Sequence, residues 1–260
     1  MAIGHVLTTR RLAWALALGL LAPAVLGNER ASAQGAEAFR FGLDHDSLGA
    51  QDAAMGGEAD YATVWVGSWT SGPGYGGLDA ALARATRHGA TPLVQFYYWG
   101  NDISRTCLDH GCWTNSGWKS REGWDRLADV LVDRLWANRG GAPAVVVVET
   151  EFNKNGVNAY EPLDGYLASV SGRIKAKYPG AVLVLGFGNW DAGNWHTFDR
   201  AVAASDMAGL QGMRASTRDT VASYYTVDDH LLSGAKKLQS LFRKPILFTD
   251  LALALSLIHI

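Results

Sequence analysis

Short apolar runs, rich in β-branched and aromatic residues, alternate along the chain with longer segments in which apolar residues recur at helical spacing. Beyond residue 38 this pattern predicts seven strands, over residues 39–45, 63–68, 92–99, 144–152, 182–189, 208–213 and 245–251. It predicts helices over residues 77–87, 121–138, 163–178, 195–204 and 227–242. Strands that alternate with helices in this way form parallel sheets, so the predicted fold class is α/β.

Seven such units fit either a doubly wound open sheet or a (β/α)8 TIM barrel whose eighth unit is missing. We favour the incomplete barrel, because no G-x-G-x-x-G turn follows the first run and because polar and aromatic residues follow many different runs. Barrel active sites lie at these C-terminal strand ends. The residues concerned are Asp44, His45, Asp46, Ser68, Trp69, Tyr97, Tyr98, Trp99, Glu149, Glu151, Asn189, Trp190, Arg214 and Asp250.

The two ends of the chain differ from the barrel pattern. Arg10 and Arg11 precede an apolar stretch, and small residues follow at positions 31–33, which is typical of a secretory signal peptide. A membrane anchor is the alternative, although the apolar stretch is short for a membrane span. We therefore assign residues 1–33 to a signal peptide and residues 34–253 to the barrel domain. Residues 254–260 resemble translated sequencing adaptor and are expected to be foreign, with a short final strand as the alternative.

The composition, 260 residues with 48% hydrophobic and 18% charged, is that of an ordinary globular protein. Residues 1–33 contain three arginines and one glutamate, so their removal changes the formal net charge from −2 to −4. This charge, without a basic run, disfavours nucleic acid as a partner. We expect a secreted monomer, extracellular or periplasmic, with no cofactor and no membrane contact after signal cleavage.

The two cysteines, Cys107 and Cys112, lie in the loop-like stretch RTCLDHGCWTNSG. Export would place them in an oxidising compartment, where a local disulfide persists. The alternative is a metal site that adds Asp109 and His110 to the two thiols, although this spacing does not match a zinc motif. We predict the disulfide and no bound metal.

The fourth run, VVVVETEFN, ends in two carboxylates separated by one residue. Side chains alternate along a barrel strand, so Val145, Val147, Glu149 and Glu151 are expected on one face. If that face is inward, Glu151 lies at the rim and Glu149 lies about 6.6 Å back along the strand. A buried carboxylate is costly, so an acidic pair at the end of an apolar strand indicates a functional barrel mouth.

Asp250 lies near the end of the seventh run. In a regular strand, Asp250 would share one face with Ile246 and Phe248, and we expect this to place it across the barrel mouth from the fourth run. Two carboxyl groups about 5 to 9.5 Å apart can cleave a glycosidic bond that lies between them. Glu151 and Asp250 are therefore candidate catalytic residues, with Glu149 as a supporting or alternative acid.

With acids after its fourth and seventh strands, the chain resembles secreted retaining glycoside hydrolases of the (β/α)8-barrel clan, which use two Glu residues there. The resemblance implies that Glu151 is the proton donor and that Asp250 is the nucleophile or, in an inverting enzyme, the base that activates water. Apolar walls and Glu149 are expected to hold Glu151 protonated. The clan usually has Asn where this chain has Thr150, and Glu where it has Asp250, so the stereochemical outcome stays open.

Aromatic and amide side chains near the strand ends suit a polysaccharide substrate, because exposed rings stack on sugar faces and amides bond to hydroxyl groups. The loop residues Trp113, Trp118 and Trp195 offer further rings, whereas Trp65 and Trp136 are expected in the core. The predicted substrate-binding residues are Asp44, His45, Trp69, Tyr97, Trp99, Asn153, Asn189 and Trp190.

Two other functions remain open. Asp44, His45 and Asp46, together with Glu149 and Glu151, could hold Mg²⁺ or Ca²⁺ in a metal-dependent barrel phosphodiesterase. A catalytically silent carbohydrate-binding barrel would keep the tryptophans and need no acid pair. Loss of activity in chelator would favour the first alternative, and undiminished polysaccharide retention after Glu151→Gln would favour the second.

Overall fold

The computed structural model describes residues 42–44, 46, 48, 59–68, 75–188, 192–214 and 227–253. The proposed signal peptide and the proposed foreign tail lie outside the described residues, as do His45, Trp69, Asn189 and Trp190. Among the helices of the described part, none is long and apolar enough to cross a membrane.

Seven strands in the described part of the chain form one parallel sheet, in the order β1-β2-β3-β6-β7-β8-β9. All seven predicted strands are confirmed. A separate antiparallel hairpin, formed by β4 and β5, is inserted between β3 and β6. The strands are β1 Gly42–Asp44, β2 Tyr61–Gly67, β3 Thr91–Tyr97, β4 Cys112–Thr114, β5 Gly117–Lys119, β6 Ala144–Val148, β7 Ala181–Gly188, β8 Met207–Arg214 and β9 Ile246–Leu253.

Helices join the parallel strands as the sequence predicts. Ser120 begins the longest helix by accepting a hydrogen bond from the backbone N–H of Gly123 at 3.2 Å, and Gly140 ends it in a left-handed conformation. The predicted helix over residues 195–204 is divided into a 3-10 helix, Ala192–Phe198, and a short α-helix. The α-helices are α1 Gly76–Arg87, α2 Arg105–His110, α3 Arg121–Arg139, α4 Glu161–Lys177, α5 Asp199–Ala203 and α6 Val227–Phe242.

The alternation of apolar residues divides the core into two layers. Val146 and Val148 of β6 belong to the large cluster that the helices cover. Val145 and Val147 belong instead to a smaller cluster with Leu93 of β3 and Val184 of β7. Both faces of β6 are buried, and this strand is therefore a continuous apolar run.

A hydrogen bond across the interior shows that the sheet is curled. The side-chain amide of Gln95 in β3 donates to the backbone carbonyl of Thr249 in β9 at 2.7 Å, although β6, β7 and β8 lie between these strands in the sheet order. Strands so far apart in a flat sheet could not be bridged by one side chain, since neighbouring strands are about 4.8 Å apart. The prediction of an incomplete α/β barrel is confirmed.

The segment between β3 and α3 contains more structure than the sequence predicts. It forms a 3-10 helix, Gly100–Asp102, then α2 and the 112–119 hairpin of β4 and β5. The predicted disulfide between Cys107 and Cys112 is confirmed, and it joins α2 to β4. The ammonium group of Lys119 donates to the carbonyl oxygen of Trp99 at 2.9 Å and to Asp102 at 2.8 Å, which fixes the hairpin to the end of β3.

Candidate active site

The turn after β6 carries the acidic pair in an unusual backbone conformation. Strand β6 ends at Val148, and both Glu149 (φ 48°) and Glu151 (φ 58°) lie in the left-handed region. The prediction that strand alternation continues through Glu151 is therefore wrong. A non-glycine residue in this region costs of order 1–3 kcal/mol and persists where surrounding contacts enforce it. Here the amide N–H of Glu149 donates to Phe96 at 2.8 Å, and that of Glu151 donates to Gly186 at 2.9 Å.

Glu149 is enclosed by the protein and fixes the backbone after β3. Its residue is 1% exposed, and its carboxylate accepts hydrogen bonds from the amide N–H groups of Tyr98 at 2.7 Å and Trp99 at 3.2 Å. Burial raises the pKa of Glu149 to about 8, while these two hydrogen bonds and the charges of Lys119 and Lys154 oppose the rise. The raised pKa and the deep position suit a supporting acid.

Glu151 lies nearer the solvent within a cluster of polar side chains. Its side chain is 14% exposed, and its Oε2 accepts from Lys154 Nζ at 3.1 Å and from the Tyr97 hydroxyl at 3.3 Å. Lys154 also donates to the Tyr97 hydroxyl oxygen at 2.6 Å and to Asn101 Oδ1 at 2.9 Å. The predicted apolar wall around Glu151 is therefore wrong, because a cation and a phenol line the carboxylate.

Tyr97 is the one predicted substrate-binding residue that the described structure brings directly to Glu151. Burial raises the pKa of the Tyr97 phenol above its usual range, and the charges of Glu151 and Glu149 raise it further, so the hydroxyl keeps its proton. The ring of Trp65 packs edge-on against Tyr97 with 5.7 Å between the centroids. Trp65 is half-buried beside this cluster, which differs from its predicted place in the core.

Asp250 lies in β9, and the structure describes its backbone only. The register between β8 and β9 pairs Leu210 with Phe248 but Gln211 with Asp250, so one extra residue interrupts β9. The regular strand pattern on which the prediction for Asp250 rests is therefore interrupted between Phe248 and Asp250. Strands β6 and β9 are parallel members of one curled sheet, so the positions of Glu151 and Asp250 lie towards the same end of the barrel.

Two of the predicted sugar contacts are structural instead. Asn153 is 1% exposed, and its side chain donates to the carbonyl of Gly188 at 3.1 Å and accepts from the Gly188 amide at 2.7 Å. Trp99 is completely buried and packs edge-on against Trp124. Neither side chain offers a surface to a substrate, because both residues are almost completely buried.

The exposed tryptophans are found mainly on the 112–119 hairpin. Trp113 is 79% exposed and Trp118 is 49% exposed, with their ring centroids 5.7 Å apart. Trp195, by contrast, is completely buried. Trp136, predicted in the core, is 46% exposed and packs against Tyr178 near the opposite end of the strands.

The acidic residues at the end of β1 and after β6 are in separate environments. Asp44 is exposed and accepts a hydrogen bond from the amide of Asp46 at 3.0 Å, whereas Glu149 is bound to the backbone and Glu151 to Lys154. Within the described ranges, no group of three or more His, Cys, Asp or Glu side chains is placed to hold a metal ion. The sulfurs of the two cysteines are bonded to each other and cannot act as thiolate ligands.

Comparison with solved structures shows that this (β/α)-barrel fold is shared with two structures whose sequences are very different. The chain is similar to a β-mannanase of Thermomonospora fusca, solved as a mannotriose complex, at 9% sequence identity and with a TM-score of 0.50. This similarity covers 80% of the chain and 67% of the mannanase chain. It is also similar to a fungal β-1,4-galactanase at 13% identity, with a TM-score of 0.50, covering 80% of this chain and 72% of the other.

Because the sequences differ at most positions, these similarities show a common fold and nothing about activity. Neither a protein-family model nor a curated protein sequence matches the chain. Sequence reasoning found Glu149, Glu151 and Tyr97 but missed Lys154 and Asn101. The only local signal for Lys154 is its position three residues after Glu151, since its other partners are more distant in sequence.

Proposed function

We propose that the protein is a secreted glycoside hydrolase that cleaves O-glycosidic bonds of a polysaccharide. The observation that carries the proposal is the position of Glu151 after β6, at the strand ends of a glycoside hydrolase fold, within hydrogen-bond distance of Tyr97 and Lys154. Barrel enzymes place their catalytic groups at this end of the strands. The β-mannanase and β-1,4-galactanase to which the fold is similar make β-mannan and β-1,4-galactan the first substrates to test.

In this proposal Glu151, in its protonated form, donates a proton to the leaving oxygen, and Asp250 acts as nucleophile or as the base that activates water. Glu151 is preferred to Glu149 as the donor because its side chain is 14% exposed, whereas residue Glu149 is 1% exposed and its carboxylate is bonded to backbone. Tyr97 keeps its proton and can donate a hydrogen bond to Glu151 once that carboxyl group has lost its own. Lys154 then stabilises the resulting charge.

Substrate contacts in this proposal extend from the acids to the 112–119 hairpin. Trp113 and Trp118 present the largest exposed aromatic surface in the described part of the chain, and an aromatic face packs well against the apolar face of a sugar ring. Asp44, His45, Trp69, Asn189 and Trp190 remain proposed contacts on the neighbouring strand ends. Export through residues 1–33 and a monomeric state are also proposals, and the disulfide supports export.

The test is release of reducing ends from β-mannan, β-1,4-galactan and a panel of other polysaccharides. Glu151→Gln and Asp250→Asn are each expected to lower kcat by at least about 100-fold, the usual contribution of a catalytic acid or base. Glu122→Gln, a carboxyl-to-amide change at the start of α3, is the matched control and is expected to leave kcat unchanged. The anomeric configuration of the first product, followed by NMR, decides between retention and inversion.

Hydrolysis that survives Glu151→Gln, or the absence of hydrolysis with every polysaccharide, would contradict the proposal. Polysaccharide retention by a protein that hydrolyses none of them would support the carbohydrate-binding barrel instead. Loss of activity in chelator, restored by a divalent cation, would support the metal-dependent alternative.

A further inference from the structure

Gln95 is a polar side chain in an otherwise apolar layer of the barrel. It lies in β3, where the register pairs it with Trp65 of β2 and Val147 of β6, and it is completely buried. Burying an amide without hydrogen bonds costs several kcal/mol, so its partners must compensate. Both ends of the amide are bonded: Nε2 donates to the carbonyl oxygen of Thr249 at 2.7 Å, and Oε1 accepts from the hydroxyl of Thr150.

The two partners of Gln95 immediately precede the two proposed catalytic acids. Thr150 precedes Glu151 in the turn after β6, and Thr249 precedes Asp250 in β9. Strands β6 and β9 are separated in the sheet by β7 and β8, so the backbone ladder does not join them directly. The Gln95 amide is therefore a short bridge between the backbone segments that carry Glu151 and Asp250.

The interruption of β9 explains why Thr249 can take part. Between β8 and β9, Leu210 pairs with Phe248 and the next residue of β8, Gln211, pairs with Asp250. Thr249 therefore has no register partner in β8. A bulged residue of this kind leaves the regular ladder, and its polar backbone groups need other partners. Gln95 supplies a donor to the carbonyl of Thr249 from across the barrel.

We propose that Gln95 is a positioning residue, which sets the separation between the carboxyl groups of Glu151 and Asp250 by binding the residue before each of them. The inference rests on the proposed function. Carboxyl groups about 5–5.5 Å apart support retention and those about 6.5–9.5 Å apart support inversion, so the reaction is sensitive to this spacing. An error of about 1 Å in a catalytic position can lower the rate by about 100-fold.

Gln95→Met is the main test, because methionine has a similar shape and removes both hydrogen bonds. The expected result is a kcat lower by about 10 to 100-fold, with KM for the best polysaccharide within about twofold of the wild type. Thr150→Val removes only the Oε1 contact and is expected to give a smaller loss in kcat. In Gln95→Glu, a protonated carboxyl can still donate to Thr249 and accept from Thr150. The ratio of its kcat to that of the wild type is therefore expected to rise as the pH is lowered.

A control separates positioning from a general loss of stability. The hydroxyl of Ser205 is buried and donates to the carbonyl of Ala201 at 2.9 Å, in the helix layer beyond the strands. Ser205→Ala also removes a buried hydrogen bond and is expected to lower the thermal midpoint while leaving kcat unchanged. An equal fall in kcat for Ser205→Ala and Gln95→Met, or an unchanged kcat in Gln95→Met, would overturn the proposal.

Crystal structures of the wild type and Gln95→Met provide a measurement that does not need activity. The Cα separation of Glu151 and Asp250 is expected to change by more than about 0.5 Å, the tolerance of a well-ordered catalytic site. An unchanged separation overturns the positioning role even if the wild type hydrolyses polysaccharide. If the wild type hydrolyses none, the proposed function fails by itself, and the crystallographic comparison still decides whether Gln95 sets the spacing.

Discussion

Lys154 Nζ lies 3.1 Å from Glu151 Oε2, and both side chains are largely shielded from solvent, at 13% and 14% exposure. Hydrogen bonds to charged groups contribute about 1.5–3 kcal/mol in such settings, more than an exposed ion pair does. Lys154→Met is therefore expected to lower the free energy of unfolding by about 2 kcal/mol. It is also expected to reduce kcat/KM for polysaccharide, because Glu151, Tyr97 and Asn101 lose their common donor. Urea unfolding and steady-state kinetics measure the two effects.

Lys177→Met is the matched control for Lys154→Met. Lys177 Nζ lies 2.6 Å from Asp129, but its side chain is 47% exposed and Asp129 keeps its bonds to Arg173. The expected cost is below about 1 kcal/mol, with kcat/KM unchanged. Equal effects of the two substitutions would show that Lys154 is an ordinary surface charge.

Glu149 is expected to make the stability depend on pH. Burial raises its pKa to about 8 in the folded protein, from 4.5 when it is exposed. Between these values the folded state holds a proton that the unfolded state has lost, so the free energy of unfolding falls as the pH rises, by up to about 1.4 kcal/mol per pH unit. The contribution of Glu149 is complete below about pH 4.5 and is lost by the time the pH passes about 8.

Glu149→Gln is the comparison that isolates this contribution, because the amide does not titrate. Urea unfolding from pH 5 to pH 9 is expected to show the wild type losing stability relative to Glu149→Gln as the pH rises, with the difference levelling off above about pH 8. Two curves that stay parallel over this range would mean that the carboxyl group of Glu149 is ionised throughout.

The strands were predictable because their signal is local. Val145 to Val148 are buried on both faces of the sheet, and such strands are apolar over their whole length. The backbone of Glu149 and Glu151 was not predictable in the same way. Their left-handed conformations are imposed by hydrogen bonds from their amides to Phe96 and Gly186, which are distant in sequence.

Whether a tryptophan ring is buried or exposed also depends on contacts that are distant in sequence. Trp99 lies two residues after the end of β3, and its position predicts an exposed ring, but it packs against Trp124 of α3 and is buried. Trp113 was predicted as an exposed loop residue and is exposed, on a hairpin that was not predicted. A strand-end position alone does not decide whether a ring faces solvent, because this depends on how the following loop folds back.

Gly111 links α2 to the 112–119 hairpin and has a φ of 72°, which favours glycine. A Cβ at this position would lie 3.0 Å from the carbonyl oxygen of Lys119 and closer still to the ring of Trp118. Gly111→Ala is therefore expected to lower the free energy of unfolding by about 1–3 kcal/mol. Thermal or urea unfolding measures the change.

Gly172 is the opposite case and serves as the control for Gly111→Ala. It lies within α4, is exposed, and a Cβ there would meet nothing within 4 Å. Gly172→Ala is expected to stabilise the protein by about 0.5–1 kcal/mol, since alanine favours the helix. Destabilisation by both substitutions would show that the space beside Gly172 is not open, and tolerance of Gly111→Ala would show that the hairpin adapts.

Trp113 and Trp118 are expected to bind sugar units of a long substrate. Replacing either ring with alanine removes a stacking surface without touching Glu151. An aromatic contact of about 1–1.5 kcal/mol corresponds to a rise in KM for the polysaccharide of about 5 to 12-fold, and kcat is expected to change little. Activity on a short aryl glycoside is expected to be unaffected. Trp136→Ala removes an exposed ring near the opposite end of the strands and is expected to leave KM unchanged. An unchanged KM for the Trp113 and Trp118 variants, or a similar rise in KM for Trp136→Ala, would contradict a role of the hairpin in substrate binding.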